Sequence, residues 1–160
     1  MVCRANSRVW KDSALVHGQA ALELLAGMRI VEENRAVAPE SFDRLPASAR
    51  SCELLKDIGV GTDIPPSLPK LAEWTSSLGW QDCPRVVTEP RNSVVHPRKR
   101  DEVSKISGLP WWNGWDLMMW YLELVLLRLF GHRGSYRNRL THGVEQVPWS
   151  LGHSKAVGTH

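Results

Sequence analysis

"WDLMMWYLELVLLRLF", residues 115–130, is apolar on nearly every side and is followed by the stop signal Gly131. As a helix it would be about 24 Å long, against a hydrocarbon core of about 30 Å, and it carries Asp116, Glu123 and Arg128. The run is therefore predicted to be the central helix of a soluble bundle, with no membrane partner. Asp116 in its first turn and Arg128 in its last would complement the helix dipole. A helix apolar all round needs cover on more than one side, which a five-helix monomer supplies poorly, so a homodimer is expected.

Working outward, the most regular helical pattern is "KDSALVHGQAALELLAGMRIVEEN", about Lys11 to Glu33. In it Leu15, Gly18, Leu22, Leu25 and Met28 recur at the three-and-four spacing of one helix face. "VAPESFDRLP" reads as a turn, and "ASARSCELLKDIGVG" as a short helix stopped by Gly59 and Gly61. "TDIPPSLPK" is a proline-rich connector. "SLPKLAEWTSSLG" is predicted helical, with Ser67 as N-cap, Pro69 in the first turn and Gly79 as the stop. "PRVVTEPRNSVVHP" is read as helix, with a strand as the alternative because of Val86, Val87, Val94 and Val95. A long loop, residues 98–114, leads to the apolar helix. After Gly131 the glycine-rich remainder shows no sustained period. The expected fold is all-α: a bundle of about five helices over residues 10–130, with an irregular tail, 131–160, packed on it or trailing from it.

The chain of 160 residues is 42% hydrophobic, 23% charged and carries a net charge of +3. These values suit one folded domain and exclude a disordered chain. Three scattered cysteines, Cys3, Cys52 and Cys83, suggest neither a disulfide framework nor a zinc site and fit a reducing cytoplasm. The N-terminal residues lack the apolar core of a secretory signal. The six histidines show no metal-ligand spacing, so no metal and no cofactor is expected. Eight tryptophans, four of them at 111, 112, 115 and 120, are read as packing rather than base-stacking residues.

The stretch that points to chemistry is "TEPRNSVVHPRKR", residues 88–100. If 91–96 are helical, Asn92 and His96 lie four apart on one face, where the amide can fix the imidazole's orientation and tautomer. Arg91 could reach the same cleft and hold a phosphate through two hydrogen bonds. Such a set suits metal-free RNA cleavage: His96 moves a proton, Arg91 neutralises charge on the phosphorus oxygens, and the ribose 2′-hydroxyl attacks, leaving a 2′,3′-cyclic phosphate. Arg98, Lys99 and Arg100 would contact the RNA backbone. Arg followed by His at four to six residues is a weak pattern, with about 1.6 occurrences expected by chance. A second copy, "RNRLTH" from Arg137 to His142, lies among Gly131, Gly134 and Gly143, where no helix would hold Asn138 against His142, so the first copy is the expected site.

"RNSVVHP" at the end of a helix resembles the Arg-x4-6-His motif of the HEPN superfamily. The flanking "PPSLPKLAEW" and "WYLELVLLRLFGHRGSYRNRL" are similar to the Apea-like HEPN domains of prokaryotic defence proteins, over about residues 10–149. The resemblance implies a dimer whose two motifs face a shared cleft. It further implies a metal-independent endoribonuclease of a phage-defence or toxin system, with Arg91, Asn92 and His96 as the site and an antitoxin or additional N-terminal domain as partner. Pro90 departs from the pattern, because it removes a helical hydrogen bond just before Arg91. Two rivals stay open: a non-catalytic module binding RNA or nucleotide, and a helical interaction protein without a site.

Overall fold

The computed structural model describes residues 3–80, 84–89 and 109–153, and the side chains of 13–80, 84–89 and 112–150. The chain is mainly helical. Helix α1 runs from Cys3 to Ala26 and passes directly into a π-helical turn, Gly27–Glu33. It begins eight residues before the expected start, since neither glycine nor proline interrupts residues 3–17. Its core-facing line is Leu15, Gln19, Leu22, Ala26 and Ile30, whereas Met28 is 42% exposed. The expected face holds through Leu25, which packs against the core, and is corrected at Met28: from the π-turn onward the wider turn carries Ile30, not Met28, onto the core.

Helix α2, Pro39–Asp43, occupies what reads as a turn, with Pro39 in its first turn and Phe42 buried beneath. Helix α3, Ala47–Asp57, buries Ser51, Leu54 and Leu55 and ends just before Gly59. Helix α4, Pro69–Ser77, buries Leu71 and Thr75. Its N-cap is Leu68, without a side-chain cap bond, so Ser67 does not cap it as expected. Residues 84–89 are helical, which sets aside the strand alternative there, and Val86, Val87 and Thr88 are buried.

Helix α5, Leu109–Leu129, is the central element. It starts six residues earlier than expected, taking in the end of the supposed loop. Asp116 therefore lies beyond the first turn and cannot serve its dipole as expected; Arg128 does lie in the last turn. Leu117, Met118, Tyr121, Leu124 and Val125 are buried on its inner side. α1 packs on α3 and α5, and α4 packs on α5. At the α1–α5 contact a Cβ on Gly18 would overlap the thioether of Met118, so the space that this buried side chain fills depends on that glycine. Truncating a fully buried leucine such as Leu124 to alanine should cost about 2–5 kcal/mol. The segment Ser13–Glu33 is long and apolar enough to cross a membrane by length and composition. Here it supplies the buried line that meets α3 and α5.

The tail holds a small sheet that the sequence pattern does not reveal. Gly131, at φ +71°, ends α5 in the left-handed region and lets the chain turn back. Strands β1, Ser135–Arg137, and β2, Val144–Gln146, then pair antiparallel, with Tyr136 opposite Glu145. A 3₁₀ turn, Pro148–His153, follows.

Candidate functional site

Arg91, Asn92, His96, Arg98, Lys99 and Arg100 lie outside the described residues, as does Pro90. What the structure does place is the approach to them: the helical residues 84–89, with Val86 and Val87 held in the core.

The second Arg-Asn-x3-His copy is fully described, and its geometry is that of a hairpin loop. Asn138 is buried. Its side-chain oxygen accepts from Leu140 N at 2.8 Å, and its Nδ2 donates to Glu145 Oε2 at 2.7 Å. Thr141 Oγ1 donates to the other oxygen of Glu145 at 2.6 Å. The Asn138 and Gly143 backbones close the loop at 2.8 Å. His142 sits at φ +59° with its side chain exposed, and Arg137 is exposed at the end of β1. Asn138 thus spends its amide on the loop itself and does not orient His142.

The hairpin is tied to α5 by several polar contacts that single-sequence patterning cannot find, because their partners are far apart in the chain. Arg139 Nε donates to Glu123 Oε1 at 2.9 Å, and its guanidinium lies 5.5 Å from the Trp115 ring centre. Trp120 Nε1 donates to the Tyr136 hydroxyl at 3.1 Å. Burial pushes the Tyr136 phenol above its ordinary value; the hydrogen bond from Trp120 opposes this, and the charges of Glu145 and Glu123 add to it. Trp149 Nε1 donates to His132 O at 2.7 Å, and Arg128 lies 5.5 Å from the Trp149 ring centre. Three of the described tryptophans of this region are therefore packing residues with satisfied or cation-facing rings.

The hairpin leaves part of α5 uncovered. Opposite the buried line run Trp112, Met119, Leu126 and Phe130; Leu126 is 42% and Phe130 84% exposed. Trp112, Met119 and Leu126, with Trp115, Leu122 and Leu129, follow a three-four alternation at 112, 115, 119, 122, 126 and 129. That spacing is the 3.5-residue repeat of a helix seam, extending over about 26 Å from Trp112 to Leu129. Trp115, Met119, Leu122 and Leu129 pack against the core, so the apolar surface left open to water is Trp112, Leu126 and, just past the end of α5, Phe130. Among the described residues no group of three or more His, Cys, Asp or Glu is placed to hold a metal ion.

A family model described as the YopA C-terminal domain matches residues 3–149. Over 153 residues the chain is 30% identical to the "SPbeta prophage-derived uncharacterized protein YopA" of Bacillus subtilis (strain 168), covering 91% of this chain and 33% of that protein. The chain thus spans about a third of the length of the curated relative it matches. No solved structure matches. These matches overturn the likeness to the HEPN superfamily and its Apea-like group. That likeness rested on a short motif and on leucine- and tryptophan-rich flanks, which helix packing alone demands. The paired motifs across a dimer cleft that came with it lose their support.

Proposed function

The chain belongs to the YopA C-terminal domain family, and from that premise we propose that the domain is an association module, pairing with a second copy through the outer face of α5. The observation that carries this reading is the exposed apolar end of α5, Leu126 together with Phe130 in the turn just beyond Leu129, on a helix whose other side already fills the core. Water-exposed apolar area of this kind, repeated at seam spacing, is stabilised by a like seam on another helix. In a longer prophage protein such pairing would hold two copies of the remaining chain together. Sedimentation velocity at micromolar concentration tests it. The wild type should sediment as a dimer and the Leu126→Glu, Phe130→Glu double variant as a folded monomer; a wild-type monomer would refute the reading.

RNA cleavage by Arg91, Asn92 and His96 is the second reading, and a cytoplasmic location goes with it. Its support is the spacing of the three residues together with the helical stretch 84–89 just before them. Purified protein incubated with a generic RNA in EDTA should then cleave it, and His96→Ala should not. Salt-dependent RNA binding without cleavage would favour phosphate contacts by Arg98, Lys99 and Arg100 alone.

A further inference from the structure

The π-turn does more than shift the core line of α1. Between it and α2 lies an open groove of ≈ 380 Å³. Its apolar wall is made of Leu24 and Met28, 66% and 42% exposed, together with Val31 and the buried ring of Phe42. Gly27 contributes no side chain: a Cβ there would meet only Phe42 Cε1, at 3.8 Å, so the space over the ring stays open. Non-α turns of this type recur at functional positions because they displace side chains from the regular helical surface.

The groove's electrostatics are one-sided. Arg50 is the one cation that lines it, and its donors are already engaged. Nε bonds Leu45 O at 3.0 Å, Nη2 bonds Asp43 O at 2.7 Å, and Nη1 reaches Glu23 Oε2 at 3.3 Å. The guanidinium also stands 5.4 Å from the Phe42 ring centre. Glu23 is further held by Gln19 Nε2 at 2.8 Å. Glu32 and Asp43 also line the groove, both are exposed, and among the described residues neither carboxylate has a hydrogen bond or ion pair. Three carboxylates against one guanidinium leave a local charge of −2 in a chain whose net charge is +3.

We propose that this groove docks a short segment of a partner protein that presents one or two bulky apolar side chains beside lysine or arginine. The volume lies near the lower end of ligand-site volumes, enough for one or two large side chains, and the groove is too open to enclose a small molecule. Leu24, Met28 and Phe42 receive the apolar anchor; Glu32 and Asp43 meet the flanking cations, which Arg50 cannot neutralise because it is committed to Glu23 and two carbonyls. Nucleic acid is disfavoured at this surface, since its phosphates would face unpaired carboxylates. The site lies on the end of α1, the π-turn, α2 and Arg50 of α3, and does not depend on the α5 pairing face.

A display library of random 12-residue peptides, selected on the full chain, tests the proposal. Selected sequences should combine Leu, Phe, Trp or Met with Lys or Arg. Their binding, read by fluorescence anisotropy, should fall about tenfold in a Glu32→Gln, Asp43→Asn double variant and weaken further in salt. Met28→Ser should also weaken it, while Glu53→Gln, on α3 and outside the groove, should leave it unchanged. Circular dichroism checks that each variant keeps its helices. Selected peptides without basic residues, equal binding to the double variant, or failure to select any peptide would overturn the proposal. Self-association of the chain abolished by the same two charge substitutions would overturn it in favour of a second copy in the groove.

Discussion

Arg139 in the hairpin loop and Glu123 in the middle of α5 form an ion pair in which both Nε and Nη2 of the guanidinium donate to one carboxylate oxygen. The pair joins residues 16 apart in the chain, and the same guanidinium lies over Trp115. It fixes the hairpin on α5, so Glu123 is a tether.

Glu123→Leu should therefore destabilise rather than be neutral. With both side chains about one-third exposed, the loss is about 1 kcal/mol, read as a lowered thermal midpoint. Hydrogen exchange should quicken at the Asn138 and His142 amides, which close the hairpin loop. Unchanged exchange there would show that the tether does not hold the loop.

Asn138→Ala should cost about 1–3 kcal/mol, because it removes the bonds to Leu140 N and Glu145 from a buried position. Arg137→Ala and His142→Ala should each change stability by less than about 0.5 kcal/mol, both side chains being exposed. In an RNA-cleavage assay the latter two should also be silent. Loss of cleavage on replacing His142, with His96→Ala active, would place the chemistry in the hairpin.

The Tyr136 phenol predicts a loss of stability in alkali. Its folded-state value is raised above 10.0, chiefly by burial, so the folded protein keeps the proton after the unfolded chain has lost it. The contribution is complete below pH 10.0 and is lost as the pH rises from there through the folded-state value. Thermal midpoints measured across that range should fall, and Tyr136→Phe should fall less steeply because it has no phenol to ionise.

Gly18→Leu should be strongly destabilising, since its side chain would enter the space of Met118, which has no exposed area to retreat into. Gly18→Leu combined with Met118→Ala should recover part of the loss. Equal midpoints for the single and double variants would show that the α1–α5 contact does not set the limit.

What the sequence discloses follows from where the determinants lie. The long helices are legible because their apolar residues recur locally, and Gly131 is legible as a stop because only a residue without Cβ takes its conformation freely. The starts of α1 at Cys3 and of α5 at Leu109 escape notice, although for α5 Pro110 in the first turn is a signal that could have shown it. α2 has only five residues, and its helical state is stabilised by the burial of Phe42 beneath Arg50. The strands have three residues each, too few to show a period of two. The Glu123–Arg139 and Trp120–Tyr136 contacts depend on the reversal after Gly131, which no spacing rule contains. The motif Arg91, Asn92 and His96 is visible as spacing alone. Spacing states that side chains could meet, not that a cleft exists for them.

The wide turn at Gly27–Glu33 amounts to one residue of extra chain stored within a helix. Removing that residue would rotate everything beyond it by about 100° about the helix axis. Ile30 would leave the core, and the approach to α2 would be aimed elsewhere. Chain length at this point is thus an angular setting: a single inserted residue, with no change in composition, decides which side chains of the next turn face inward and which face water.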